Sequence, residues 1–310
     1  MKSLRRNLRG LLFISPWLIG FLVFGLYPMV LAVYLAFTNY NILQPNRIMF
    51  TGMANIERLI NDPLFWKSLA NTGYMTIIGV PLSIVLALAI ALPMNSNVRG
   101  IGLYRTIVYL PSLIPPLVVA LLFTWILNPN YGLLKVPLDA LNIPSPGWLA
   151  DPLWSKNAIL IMALWNTIGQ VAVITLAGLK DIPKHLYEAA AIDGAGRLDQ
   201  FTYITLPGLS PVIFYNLLTG TLFFIQIFTQ AFAVSVGGSG GGGSGVSLGA
   251  PVNSTLMLTL NIYKTAFVSS QAGYAATIAL VILVISIGLS LLFFRYSRRF
   301  VRYEFVGEQQ

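Results

Sequence analysis

Five side chains between residues 211 and 236 have the types and the spacing needed to bind a ligand rich in hydroxyl groups. Steps of three, four, three and four residues separate them, which places them on one face of a helix. They are Asn216, Thr219, Phe223, Gln226 and Gln230. Amides both donate and accept hydrogen bonds, and an aromatic ring packs against the face of a sugar. The spacing therefore predicts a polar stripe suited to an uncharged, hydroxyl-rich solute.

Two further amides, Asn166 and Gln170, stand four residues apart in an earlier apolar segment and are predicted to join this stripe. Polar side chains inside a membrane span usually face the protein interior or a water-filled path. The alternative is that these amides hold neighbouring helices together, which is another common use of buried polar groups. The sequence leaves both interpretations open.

Groups for catalysis or metal binding are scarce in this sequence. The chain has no Cys and a single His, His185, which excludes thiol nucleophiles, sulfur-ligated metals and histidine clusters. It contains no Gly-Lys pair, so the phosphate-binding pattern G-x-x-x-x-G-K-[ST] is missing. We predict no catalytic residue, no metal site and no cofactor on this chain, and hence no enzyme.

The segments that carry the polar stripe are too apolar for a soluble domain. Of 310 residues, 56% are hydrophobic and 9% are charged, against about a quarter charged in soluble domains. Intervals without Asp, Glu, Lys or Arg can hold helices of the roughly 20 apolar residues needed to cross a bilayer. We predict an all-α integral membrane protein with six transmembrane helices, at 11–37, 70–94, 106–127, 157–179, 211–236 and 272–294.

The 19 basic residues are divided unequally between the two sides that six spans define. Thirteen would lie on the side of the two termini and six on the other side. By the positive-inside rule, both termini are therefore predicted to be cytoplasmic. The formal net charge of +9 follows from this topology, so no nucleic-acid partner is expected; the expected surroundings are a lipid bilayer.

The loop at 181–207 lies between the fourth and fifth predicted spans, on the cytoplasmic side. Its first helix is expected to end at Asp193-Gly194, because glycine adopts the left-handed conformation that ends helices. The run Ala189–Ala191 leaves one side of this helix almost without side-chain bulk, and Glu188 adds one charge beside it. A second short helix, closed by Pro207, is expected to follow. Such a hairpin can dock into a groove of another protein, or it can be an ordinary connection between two spans.

The same loop resembles the EAA loop of bacterial ATP-binding-cassette (ABC) importer permeases. The residues that carry the resemblance are Glu188-Ala189-Ala190, Asp193-Gly194-Ala195 and the pattern Phe-x-x-Ile-x-Leu-Pro that ends in Leu206 and Pro207. Further matches are similar to the sugar-uptake branch, which includes maltose, lactose and glycerol-3-phosphate permeases; they are Asn71-Thr72, Pro81-Leu82, Tyr104-Arg105, Pro111 with Pro115 and Pro116, and 249–255. The resemblance is to the first-permease type of that branch and implies the type I ABC importer permease (MetI-like) fold.

This resemblance also implies roles and partners. In that family the EAA loop is a coupling helix seated in a cleft of the ATPase, so Glu188 would pair with a basic ATPase residue and Gly194 would permit the tight turn. The implied partners are a second homologous permease, an ABC ATPase dimer that carries ATP and Mg, and an extracytoplasmic solute-binding protein that delivers a sugar. The implied location is the plasma (inner) membrane of a bacterium or archaeon, and the implied mechanism is ATP-driven alternating access.

Two divisions of the chain are expected. Residues 1–69 would hold the first span and an outer loop with a short amphipathic helix at 53–60, and residues 70–310 would hold a transport core of five spans. The Gly/Ser-rich run at 237–245 is either a native loop or an engineered linker.

Two alternative functions remain: the same machinery importing glycerol-3-phosphate or another polyol phosphate, and an ion-gradient-driven secondary transporter. The second is disfavoured because the spans lack ionisable residues.

Overall fold

The computed structural model describes residues 13–237 and 247–300, and all the regular elements within these ranges are helices. A single β-bridge joins Thr38 to Phe50. The helices are α1 (Phe13–Ala36), α2 (Ala54–Ile60), α3 (Pro63–Met94), α4 (Ile101–Leu113), α5 (Pro116–Ile126), α6 (Lys135–Ala140), α7 (Pro152–Asp181), α8 (Lys184–Ile192), α9 (Arg197–Gln200), α10 (Ser210–Ile225), α11 (Thr229–Gly237), α12 (Leu258–Tyr263) and α13 (Ala272–Phe300). The Gly/Ser-rich run after Gly237 lies outside the described residues.

Among the described residues, five helical stretches are long and apolar enough to cross a membrane, namely α1, α3, α7, α10 with α11, and α13. The sixth predicted span is a pair of shorter helices, α4 and α5, which meet at a bend of 98°. Counted as one span, this pair completes the six predicted transmembrane helices. The prediction of one continuous helix over 106–127 is wrong, however, because Ile114 and Pro115 each precede a proline and adopt extended conformations.

The chain divides into two compact units. The first comprises the described residues up to Phe65 together with Ile262–Leu283, and the second comprises the remaining described residues. In the first unit, α2 forms where an amphipathic helix was predicted. Its Asn55 side chain donates hydrogen bonds to the carbonyls of Ala36 and Thr38, each at 2.8 Å. These bonds satisfy carbonyl groups that the end of α1 would otherwise leave without an intrahelical partner.

The start of α13 packs closely against the end of α1 in the same unit. The backbone N–H of Gly273 donates to the carbonyl of Tyr40 at 3.0 Å, and Thr277 Oγ1 donates to the carbonyl of Ala36 at 3.0 Å. A Cβ at residue 273 would lie 2.3 Å from the carbonyl oxygen of Thr38. No side-chain carbon can lie this close to a carbonyl oxygen, so residue 273 must be glycine.

We expect Gly273→Ala to destabilise the protein by about 1–3 kcal/mol, the usual cost of forcing an extra methyl group into a packed site. The measurement is the melting temperature of the detergent-solubilised chain. Gly288→Ala in the same helix is the matched control, because a Cβ there meets nothing within 4 Å; it should be neutral or stabilising. Equal melting temperatures for the two variants would contradict this account of the α1–α13 contact.

In the second unit, α3, α7 with the residue that follows it, and the turn directly before α10 surround an apolar core. Its fully or almost fully buried members come from all three segments; they are Ala87, Ala91, Met94, Ala172, Leu176, Leu179, Ile182 and Leu209. Close packing is helped by Gly178, where a Cβ would lie 2.5 Å from Val212. This core lies beneath the hairpin at 181–207, whose residues Leu186, Tyr187 and Ile204 pack against it.

Candidate functional site

A cleft of about 320 Å³ opens between α3, α7 and α10 in the second unit. Hydroxyl groups, amides and aromatic rings line it, and none of the lining side chains is an acid or a basic group. The lining residues are Ser83, Thr167, Gln170, Val171, Ile174, Tyr215, Asn216, Thr219, Gly220, Phe223 and Phe224. Such a surface can donate and accept hydrogen bonds without placing a net charge beside the ligand.

Three residues of the predicted stripe, Asn216, Thr219 and Phe223, line this cleft. Asn216 is also 4% exposed and its amide donates to Thr175 Oγ1 at 3.2 Å. It therefore lines the cleft and joins α10 to α7 at the same time. Of the two uses that the sequence left open, the attachment of helices is seen at this residue, and contact with a solute stays a prediction.

The other two residues of the stripe, Gln226 and Gln230, lie outside the cleft. The predicted face is interrupted because α10 ends at Ile225 and α11 begins at Thr229. Gln226 is exposed, whereas Gln230 is buried, and within the described residues its amide nitrogen has no hydrogen-bond partner. The carbonyl of Ile227 at the break accepts a hydrogen bond from Thr259 Oγ1 at 2.6 Å. The prediction that all five residues share one helix face is therefore wrong beyond Phe223.

The two amides of α7 lie in different surroundings. Gln170 is exposed and lines the cleft. Asn166 is 7% exposed and donates to the carbonyls of Pro111 and Ile114, at 2.9 and 3.0 Å. Both carbonyls belong to the bend between α4 and α5, where the helical ladder is interrupted. Asn166 thus supplies the donors that the bend lacks and does not line the cleft.

The hairpin at 181–207 contains the residues that resemble the EAA loop. Its first helix, α8, ends in a Schellman motif: the N–H of Ala195 donates to the carbonyl of Ala190 at 2.9 Å, and that of Gly194 to Ala191 at 3.2 Å. Gly194 has φ +82°, as predicted for a left-handed helix end. Its position has open space for a side chain, so the backbone conformation, not crowding, requires glycine.

The two faces of the hairpin differ in exposure. Towards the core, the hydroxyl groups of Tyr187 and Thr205 are 2.9 Å apart. On the outer face the resembling residues Glu188, Ala189, Asp193 and Gly194 are exposed, and Ala190 and Ala195 are half-buried. Two apolar side chains that sequence reasoning did not single out, Ile192 and Leu198, are 86% and 76% exposed on this hairpin. Ile192 follows the alanine run directly, which was the available signal.

The second arm of the hairpin continues further than predicted. A helical path runs through Leu206 and Pro207 to a turn at Leu209, directly before α10. Leu206 is 39% exposed and Pro207 is half-buried. Pro207 does not close the second helix, because the helical conformation continues through it to Gly208.

At the other end of α3, two sequence segments that resemble the sugar-uptake branch meet. The side chain of Asn71 donates to the carbonyls of Asn253 and Leu256, at 2.9 and 3.0 Å. Thr72 Oγ1 accepts from the N–H of Leu258 at 2.9 Å, and the hydroxyls of Ser155 and Ser254 are 2.7 Å apart. These buried contacts hold an irregular stretch against two helices, α3 and α7. Within residues 13–237 and 247–300, no group of three acidic or histidine side chains could hold a metal ion.

A helical membrane bundle with a polar cleft and an exposed hairpin defines a transport subunit rather than an enzyme. Residues 79–302 match the model of the family described as "Binding-protein-dependent transport system inner membrane component", and the chain belongs to this family. It is similar to a probable ABC transporter permease of Bacillus subtilis (35% identity; 98% of this chain and 95% of that protein). It is also similar to the lactose transport system permease protein of Rhizobium radiobacter (34% identity; 96% and 97%).

Solved structures confirm the fold. A chain of a bacterial ABC transporter involved in the import of the acidic polysaccharide alginate has a TM-score of 0.79 at 24% identity, over 97% of this chain and 99% of that one. The predicted permease fold, the family resemblance, the inner-membrane location and the assignment to transport instead of catalysis are therefore confirmed.

Proposed function

We propose that this ABC importer permease provides part of the pathway for a sugar or oligosaccharide, and that the solute passes the cleft between α3, α7 and α10. The observation that carries the proposal is the uncharged, hydrogen-bonding lining of that cleft, with the Phe223 ring 36% exposed at its surface. Relatives with named substrates support it: besides the lactose protein, a trehalose/maltose permease of Thermococcus litoralis is 30% identical over 93% of both chains.

A phosphorylated cargo is less well supported. Glycerol-3-phosphate or another polyol phosphate would bring a charge into a cleft whose lining contains no Lys, Arg or His. A buried anion without a cationic or hydrogen-bonding partner is costly. The ion-gradient alternative is set aside because the family is one of binding-protein-dependent transport components.

The partners proposed for this chain are those of an ABC importer. A solute-binding protein would deliver the sugar from outside the cell, as the family description indicates. A second homologous permease would complete the pathway, and an ATPase dimer carrying ATP and Mg would receive the exposed face of α8. Thirteen basic residues on one side against six on the other support cytoplasmic termini. With this orientation, the hairpin would lie on the same side as the ATPase.

The contacts beneath the hairpin support alternating access as the mechanism. Two helices contribute both to the core below α8 and to the cleft: α3 through Met94 and Ser83, and α7 through Leu179 and Gln170. The third contributor to the core, Leu209, directly precedes α10, which also lines the cleft. The eleven residue steps from Ser83 to Met94 correspond to roughly 16 Å of helix. A displacement of the hairpin therefore reaches the cleft through rigid helices. ATP binding and hydrolysis on the partner would bias two arrangements of this one bundle.

The proposal is tested by sugar uptake into proteoliposomes that contain the complete complex and its binding protein. Labelled lactose, maltose and trehalose are the probes. Phe223→Ala should lower the apparent affinity for the transported sugar about three- to tenfold, since the aromatic contact contributes about 0.5–1.5 kcal/mol. Phe267→Ala is the matched control, because this exposed ring lies outside the cleft lining. Equal uptake by both variants, or uptake that follows an ion gradient without ATP, would disprove the proposal.

A further inference from the structure

Gly79 lies in the middle of α3, directly behind a wall of the cleft. A Cβ at this position would lie 2.5, 2.6 and 2.9 Å from three ring atoms of Phe224. Contacts this short do not occur between real side chains, so Phe224 occupies the space that any other residue at 79 would need. At the neighbouring approach of the same two helices, a Cβ at Gly220 would meet Val80 at an ordinary 3.6 Å. The close approach is therefore confined to Gly79.

The Phe224 ring can be displaced towards the cleft. Its side chain is 1% exposed, so it is packed on nearly all sides. The Phe223 ring lies against it in an edge-to-face arrangement, with centroids 5.3 Å apart. The cleft is an unfilled space beside the ring, since Phe224 is one of the lining residues. A ring displaced from α3 must therefore move towards the cleft and towards Phe223.

We propose that Gly79 sets the width of the cleft, and with it the bulk of the solute that the cleft admits. Without a side chain at 79, the Phe224 ring lies back against the α3 backbone and leaves the cleft open. Any larger residue pushes the ring forward and narrows the cleft. Gly79 is thus a positioning residue that acts through Phe224, and its effect on solute selection rests on the proposed function of the cleft.

The width can be measured without knowing the solute, because the natural chain contains no cysteine. Thr219→Cys places one thiol in the cleft lining. In the assembled complex, its labelling is followed with a small reagent, methanethiosulfonate ethylammonium, and a bulky one, a biotinylated maleimide. Adding Gly79→Ala should cause a severalfold loss of labelling by the bulky reagent, with labelling by the small reagent unchanged. Adding Phe224→Leu to this double variant should restore the lost labelling, because leucine has no ring to displace.

Gly73→Ala is the matched control: it adds the same methyl group to α3, where a Cβ meets nothing within 4 Å. It should label like the parent with both reagents. Equal bulky-reagent labelling of the Gly79→Ala and Gly73→Ala variants would overturn the proposal. If the Gly79→Ala variant does not assemble, the Phe224→Leu variant without Gly79→Ala is the test. This variant must increase labelling by the bulky reagent, and the absence of an increase would overturn the proposal.

The labelling result and the uptake result separate the two hypotheses. Labelling depends on the geometry at Gly79 and needs neither sugar nor ATP. If bulky-reagent labelling falls as expected while Phe223→Ala leaves uptake unchanged, the cleft width is set by Gly79 but the cleft is not the sugar pathway. If labelling is unaffected by Gly79→Ala while Phe223→Ala impairs uptake, the pathway stands and the role of Gly79 is disproved.

Discussion

Gly194→Pro is expected to abolish solute uptake while the chain still inserts into the membrane. Gly194 has φ +82° and its N–H bonds to the carbonyl of Ala191. Proline requires φ near −65° and has no N–H, so the Schellman end of α8 cannot form. Alanine at the same position keeps the N–H and has only to adopt the left-handed backbone conformation, which costs about 1–2 kcal/mol. We therefore expect Gly194→Ala to destabilise the hairpin by about this amount and to lower uptake only in part, and the proline variant to eliminate uptake.

The matched control is Gly196→Ala, two residues further on. Gly196 has φ −71°, which alanine adopts freely, so uptake should be unchanged. Glu188→Lys reverses the exposed charge on α8 and should also abolish uptake, without affecting the fold. The measurements are uptake in proteoliposomes and copurification of the ATPase. Normal uptake by both the Gly194→Pro and the Glu188→Lys variants would remove the coupling role from this hairpin.

Asn166→Leu is expected to destabilise the protein rather than to weaken sugar binding. Leucine is branched at the same carbon but is larger and cannot donate to the carbonyls of Pro111 and Ile114. Buried acceptors left without a donor cost about 1–3 kcal/mol, so the melting temperature of the purified complex should fall clearly. The apparent affinity of the remaining folded protein for its sugar should not change, because Asn166 does not line the cleft.

Gln170→Leu, one helical turn away, is the matching comparison. This side chain is exposed in the cleft, while the bond from the Gln170 backbone N–H to Ser112 Oγ, 3.2 Å, does not depend on the side chain. We expect an unchanged melting temperature and impaired uptake, the reverse of the Asn166→Leu result. A normal melting temperature for Asn166→Leu combined with a weakened affinity would assign Asn166 to the pathway.

The positions of the spans could be predicted from the sequence because charge and hydropathy mark the bilayer directly. Their ends could not be predicted in this way, since helices extend beyond the apolar core. α3 begins at Pro63 and α7 at Pro152, several residues before the predicted spans. Both starts carry a signal that hydropathy ignores: Asp62 and Asp151 accept hydrogen bonds from the N–H groups two residues on, each at 2.8 Å.

Structural features that depend on contacts with distant residues could not be predicted from the sequence. No proline or glycine marks the break between α10 and α11, and a carbonyl at this break is bonded to Thr259, 32 residues further on. Because the polar stripe was predicted from periodicity alone, it was extended past the end of α10 to Gln226 and Gln230. The end of α8, by contrast, depends on a single glycine with a local requirement, and the sequence predicted it correctly.

The division of the hairpin into an inner and an outer face has a consequence for protein engineering. Leu186, Tyr187 and Ile204 anchor it to the bundle, whereas Ile192 and Leu198 touch little of their own chain. In the proposed complex, recognition of the ATPase and integrity of the fold would thus be encoded by separate side chains. Outer residues can be grafted from one permease to another as a cassette, and chimeras made in this way would exchange their energy source while keeping their cargo.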